Sequence, residues 1–292
     1  MTLDPDIEAF YTRTGQMTDA GALDGLLKDA PTDVCGIAAY VQNLLLHMHW
    51  APAYRMRLDD ERRDEANNRS LREMLTLMHG MDARPLAFVR TLYQRIVGNC
   101  RHFSVFAAAL LRRAGIPARA RCGFGAYFSP GKFEDHWVAE YWNGTAWQLV
   151  DAQIDAAQGA ILRLEFDPLD VPRDEFIIAG DAWTKCRSGD ADPQAFGIFD
   201  MRGMWFIAGN VLRDFASLNN MEMLPWDVWG AMADADAALT PQKLALLDRL
   251  AALTLDADRR FSELRALYRD DATLRVPGEV FNAIRKRMEA VR

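Results

Sequence analysis

Apolar residues recur at helical spacing through the first third of the chain. Val34 to His49 carries them on one face, and the mixed-sign run Arg55 to Arg63 reads as a solvated helix face or loop. Ser70, with Glu73 three positions on, has the form of a capping box and predicts a helix that stops at Gly80. A further amphipathic helix is predicted from about Pro85 to Val97. Arg101 to Ala114 presents Phe103, Phe106, Ala107, Leu110 and Leu111 on one face, with Gly115 at the C′ position and Pro117 beyond it.

The period then changes to two. Arg119 to Phe128, Asp135 to Trp142 and Thr145 to Val150 read as strands, and Asn143-Gly144 between the last two is a hairpin signal. From about residue 155 the pattern is again mainly helical: Gly203 to Leu218, Thr240-Pro241 opening a helix to about Leu253, Asp256 to Tyr268, and Pro277 to Val291. The expected fold class is α+β, with a helical N-terminal region over 1–84, a core over 85–155 and a mainly helical C-terminal region over 156–292.

Composition excludes several classes. In 292 residues, half are hydrophobic and 26% charged, which is ordinary for a globule that buries its own core. A net charge of −7 argues against a nucleic-acid or anionic-membrane partner. No apolar run is long enough to span a bilayer, and the acidic start Met1 to Phe10 lacks the form of a secretory signal. Four scattered cysteines (Cys35, Cys100, Cys122, Cys186) read as reduced thiols, so a cytoplasmic location is expected. Cys35 and Cys122 are expected to be packed and inert.

The five histidines allow an elimination, since Cys/His or Ser/His chemistry must use one of them. His47 and His49 lie two apart in a stretch read as helical, where their side chains diverge; His79 sits at a helix end, where an imidazolium suits the dipole. His102 follows Cys100 by two positions, which sets the two on different faces if both are helical. His136 remains. A two-residue Asn143-Gly144 loop would set Trp142 opposite Thr145, Glu140 opposite Trp147, Val138 opposite Leu149 and His136 opposite Asp151, within reach of an imidazole–carboxylate hydrogen bond. A longer turn would shift that register. Cys100 follows Gly98-Asn99 at a helix start, where the dipole and unpaired N–H groups favour a thiolate and could contribute to an oxyanion hole.

The order Gly98-Asn99-Cys100, Leu110 to Arg119 (LLRRAGIPAR), His136-Trp137-Val138-Ala139-Glu140 and Trp147-Gln148-Leu149-Val150-Asp151 resembles the transglutaminase-like superfamily. The resemblance covers about residues 85–155. It implies a papain-like α+β core, a Cys-bearing helix packed on a small antiparallel sheet, to which the helical patterns on either side add extensions at both ends. It also implies Cys100 as nucleophile, His136 as base and Asp151 as the orienting acid. The family's tryptophan two residues after the histidine is Val138 here, with Trp137 beside the histidine instead. No acidic cluster of the calcium-binding kind is visible, and neither a cofactor nor a metal site is indicated. Gln94 is a loose candidate for an oxyanion donor, against the plainer reading of a surface glutamine on a helix.

These residues point to an amidase or peptidase working through a thioester acyl-enzyme. The alternatives are a transglutaminase-like acyltransferase or cyclase with an amine or carbon acceptor, including natural-product assembly, and a binding module that keeps the fold without the chemistry. The expected partner is a small-molecule or peptide amide or acyl substrate, with an acyl carrier as one candidate donor. The aromatic residues Phe196, Phe199, Trp205, Phe206, Trp226 and Trp229 either pack helices onto the sheet or line a substrate pocket.

Overall fold

The computed structural model describes residues 2–291. The fold is α+β, and the chain divides into two compact units: residues 1–120 with 138–171, and residues 121–137 with 172–292. Among the described residues no helix is long and apolar enough to cross a membrane.

The first unit contains α1 (Pro5–Thr12), α2 (Val34–Leu44), β1 (Leu45–His47), α3 (Asp60–Asp64), α4 (Leu71–Met81), β2 (Ile96–Gly98) and α5 (Cys100–Arg113). The start of β3 (Ala118–Gly125), the end of β4 (Phe133–Trp142), β5 (Trp147–Val150) and α6 (Ala156–Leu162) complete it. Every residue of α5 from Cys100 to Arg112 is buried, with α1, α2 and α4 packed around it. The Ser70–Glu73 capping box forms as the sequence predicts, with Glu73 Oε2 accepting from Ser70 N at 2.9 Å.

A helix buried to its first residue must satisfy its leading N–H groups without solvent. Asn99 Oδ1 accepts from Arg101 N at 3.1 Å, and the Asn99 N–H donates to His102 Nδ1 at 3.1 Å. His102 Nε2 lies 2.9 Å from the Asn68 carbonyl, to which it donates. Burial, with Arg101 second, pushes His102 down from 6.5 to about 3, so the imidazole is neutral. Gly98 is required beside it, since a Cβ there would come within 2.8 Å of the His102 ring.

Three sequence expectations fail in this unit. Residues 85–97 are not a helix but an irregular segment leading into β2. The Asn43 side chain clamps that segment, donating to Phe88 O and accepting from Arg90 N, both at 2.9 Å. The buried Arg90 guanidinium caps the carbonyls of Asp82 and Arg84, and Phe88, Val89 and Tyr93 are left exposed. The helix predicted to reach His49 stops at Leu44, because the chain turns extended to pair β1 with β2 in parallel, His47 opposite Gly98. Cys35 is exposed in the first turn of α2 rather than packed, since that helix buries Ile37, Ala38, Tyr40, Val41 and Leu44.

The β4–β5 hairpin forms, but Trp142 is opposite Trp147 and Glu140 is opposite Leu149. The connection spans four residues because the Asn143 carboxamide oxygen accepts from Thr145 N, Thr145 Oγ1 and Ala146 N, closing an Asx-type turn. The register therefore slides by two, and the count brings Val138 rather than His136 level with Asp151. The hairpin is clamped by Arg119, whose Nε donates to buried Glu140 Oε2 at 2.6 Å while its guanidinium lies 3.9 Å from the Trp147 ring centroid.

The second unit holds the end of β3, the start of β4, β6 (Phe176–Ile178), α7 (Ala179–Ser188), β7 (Phe196–Ile198), β8 (Met201–Arg202), α8 (Met204–Ser217), β9 (Asp227–Val228), α9 (Pro241–Leu255), α10 (Phe261–Asp270), β10 (Glu279–Asn282) and β11 (Arg287–Ala290). β3 pairs antiparallel with β6, β4 pairs parallel with β7, and β7 turns back on β8. Helices α7, α8 and α9 pack on one another. Arg121 Nε and Nη2 grip the two oxygens of Asp214 on α8 at 3.0 and 2.8 Å, and Nη2 also caps the Thr254 carbonyl of α9. The predicted helix over 277–291 is instead the β10–β11 hairpin. Asn282 Oδ1 accepts from the N–H groups of Ile284 and Arg285 and turns the chain there.

Two stability predictions rest on these buried ionisable groups. Glu140→Gln strands the Arg119 cation in the interior and is expected to cost about 3–5 kcal/mol in urea unfolding. The double change Arg119→Met with Glu140→Leu is expected to cost less than the single one. For His102 the folded state binds its proton more weakly than the unfolded state. Stability is therefore undiminished above pH 6.5 and falls as pH drops below it, by up to about 1.4 kcal/mol per pH unit. Urea unfolding of His102→Gln across this acid range should lack that component.

Candidate active site

Cys100 is the first residue of α5 and 6% exposed. Its carbonyl accepts from Ser104 Oγ at 3.0 Å, and the cap residues around it are Asn99 and His102. His102 thus serves the helix start and not the thiol, in agreement with the sequence reading. His47 and His49 sit in and just after β1 rather than in a helix, with His49 N donating to His47 Nδ1 at 3.3 Å. Cys122 is buried in β3; Cys186 is half-buried, and its thiol is pushed up to about 11 by burial with Asp192 adding to the shift.

Asp151 is buried where β5 ends. Its N–H leaves the ladder to donate to Pro168 O at 2.8 Å, and Oδ1 accepts from Gln153 N at 3.0 Å. The following loop is held from α2, where Gln42 Nε2 donates to the carbonyls of Ala152 and Ile154. A second bond set reinforces it: Tyr54 OH donates to Asp155 Oδ2 at 2.7 Å and accepts from Gln158 Nε2, whose side-chain oxygen accepts from Gln153 Nε2. Asp151 is therefore fixed by backbone bonds on both sides of it.

Cys100 and Asp151 belong to the first unit and His136 to the second. His136 is buried in β4 with three rings edge-on to it: Phe128 at 4.7 Å, Tyr127 at 5.8 Å and Phe176 at 6.2 Å between centroids. Gly125 makes room for this wall, since a Cβ there would meet Phe128 at 2.7 Å. On the opposite side of β4, Asp135 Oδ1 accepts from Asn210 Nδ2 at 2.8 Å, and Asn210 Oδ1 accepts from Arg213 Nη1 at 3.2 Å. Burial pushes the Asp135 carboxyl up, while the Asn210 bond, Arg213 and His136 pull it back.

Neither the aromatic wall nor the Asp135–Asn210–Arg213 chain was anticipated. The signal for the second was present in Asn210 and Arg213, polar residues three apart on a mostly apolar helix. Gln94 is occupied in a cap, its Oε1 accepting from Thr91 N and its Nε2 donating to Asp82, so it is not poised as an oxyanion donor. Within the second unit, Phe196 stacks on Phe133 at 4.4 Å, and Phe206 and Trp229 are buried, which favours a packing role for these three. Among the described residues no group of three or more His, Cys, Asp or Glu could hold a metal ion.

Comparison with known proteins places this segment. Residues 73–152 match the model of the transglutaminase-like superfamily, a span that includes Cys100, His136 and Asp151. No curated protein matches the chain. Among solved structures, a presumed cysteine protease from Cytophaga hutchinsonii aligns at 19% identity with a TM-score of 0.37, over 62% of this chain. The chain spans 50% of the length of that structure. Over residues 73–152 the chain is thus similar to the transglutaminase-like superfamily.

Proposed function

We propose that this chain is a cysteine-dependent hydrolase of an amide or peptide bond, working through a thioester acyl-enzyme. The observation that supports the reading best is Cys100 at the first position of a buried helix, inside the transglutaminase-like segment. The positive end of the helix dipole at that position favours negative charge developing on an attacked carbonyl oxygen.

In this mechanism the Cys100 thiolate attacks the carbonyl carbon and a tetrahedral intermediate forms. The His136 imidazolium gives its proton to the leaving amine as the C–N bond breaks, leaving a thioester on Cys100. His136 then takes a proton from water as the water oxygen attacks the thioester, and the carboxylic acid departs with the thiolate regenerated. Asp151 holds the imidazole in the tautomer this requires. An amine or carbon acceptor in place of water would make the same acyl-enzyme a transferase.

Alkylation by iodoacetamide, read at each cysteine by mass spectrometry, tests the nucleophile. Access alone makes exposed Cys35 the fastest site and 6%-exposed Cys100 a slow one. The proposal requires Cys100 to lead below neutral pH, and to lose that lead in His136→Ala. Equal rates that follow exposure would overturn it. With p-nitrophenyl acetate as acyl donor, an acetyl group should appear on the Cys100 peptide and decay in plain buffer. Decay only after an amine is added would make the protein a transferase. Asp151→Asn is expected to slow acylation on the order of 10³–10⁴-fold with the fold intact.

A further inference from the structure

The order β11-β10-β9 forms a separate three-stranded antiparallel sheet in the second unit. Phe281 on the middle strand lies opposite Val228 on one side and Met288 on the other. Its strand neighbours Val280 and Asn282 point inward and are buried. The outer face therefore carries one cross-strand row of Val228, Phe281 and Met288, exposed by 38%, 40% and 57%, with Ile284 at 54% in the turn. Apolar side chains aligned in a row on a sheet face are unfavourable in water and mark a contact surface.

The edge of this sheet is specific about what it accepts. Val291 N donates to Gly278 O, which sets the phase of the β10–β11 ladder. Backbone groups alternate in direction along an antiparallel strand, so Arg287 and Glu289 turn their N–H and C=O toward β10. Met288 turns its own toward the open edge of β11.

We propose that β11 pairs antiparallel with β11 of a second copy of this chain about a two-fold axis at Met288, joining the two three-stranded sheets into one of six. Three requirements coincide at that register. Met288 exchanges both backbone bonds with its counterpart, as a bonded antiparallel pair does. The apolar row runs unbroken from Val228 of one copy to Val228 of the other. Arg287 falls opposite Glu289 of the second copy, and Glu289 opposite its Arg287, so both cross-copy pairs are of opposite charge. Arg287 already donates to Glu289 within the chain at 2.9 Å, but its side chain is 62% exposed and has further donors for a second carboxylate.

Other registers fail. A one-residue slip sets Met288 against Glu289 and turns the apolar row of one copy to the charged face of the other. A two-fold axis at Arg287 or Glu289 places like charges directly opposite each other. The inference is independent of the acyl chemistry proposed above.

Sedimentation equilibrium over a wide range of protein concentration tests it. A reversible dimer is expected, and Met288→Asp, which sets two carboxylates face to face, should weaken it about tenfold or more. In Met288→Cys, mild oxidation of the native protein should cross-link the two copies through the substituted position, since Cα atoms of a bonded pair lie about 5.5 Å apart. Phe281→Cys should not cross-link, because its two copies lie about three strand spacings apart. A chain that stays monomeric throughout would overturn the proposal. So would a dimer that persists in Met288→Asp and shows no cross-link at position 288.

Discussion

β4 carries a buried carboxylate, Glu140, and a half-buried one, Asp135, and a carboxylate drawn out of water must be met by donors or lose its charge. Glu140 is met by Arg119 from β3, a cation that also lies over Trp147 and so ties the hairpin partner to the same point. Asp135 is met by Asn210 from α8, whose amide orientation is set in turn by Arg213. Each carboxylate thereby recruits a different element of the chain to the strand that bears His136. Apolar packing alone would tolerate a strand that slides, whereas a carboxylate with a fixed donor fixes the strand to the residue.

The head of α5 solves a related problem. A helix buried from its first residue cannot leave its leading N–H groups to water, and a thiol is a poor cap. Asn99 and a neutral His102 take that task, and Gly98 leaves the space His102 needs. Cys100 is consequently not consumed in holding the helix together. The same division appears around Asp151: Gln42 and the Tyr54–Gln158–Gln153 bonds hold the loop after it, while Asp151 Oδ1 accepts from Gln153 N.

Much of this was legible in the residues. Ser70–Glu73, Gly98-Asn99-Cys100 and the change to period two after Pro117 each express a local rule, and local rules survive folding. Two of the errors share one cause, a spacing compatible with two structures. Val280, Ile284 and Met288 are four apart and read as a helix face, yet Asn282 turns the chain between them, so Val280 points inward and Met288 outward. Residues 85–97 have helical spacing too, but Asn43 claims their backbone from a distant helix, a contact no window of sequence contains. At Asn143-Gly144 the turn was placed correctly and its length was not. The asparagine bonds forward to Thr145 and Ala146, which costs the ladder two residues.

The wall around His136 shows why a candidate catalytic residue is easier to read than its surroundings. A histidine in a strand is visible as chemistry, but Tyr127 and Phe128 read as the end of the strand Arg119 to Phe128, whereas β3 stops at Gly125 and the two rings leave it. What places them is an absence: Gly125 has no Cβ where Phe128 packs, and any larger residue would force that ring away from the imidazole. The two rings are half-buried while His136 is fully buried, so they, and not the histidine, present surface at this point of the second unit. An aromatic wall of this kind favours apolar or planar groups over charged ones on steric and solvation grounds alone. If His136 acts as proposed, its selectivity rests on a glycine and two loop aromatics, positions where substitution alters the ligand accepted while leaving the proposed Cys100, His136 and Asp151 untouched.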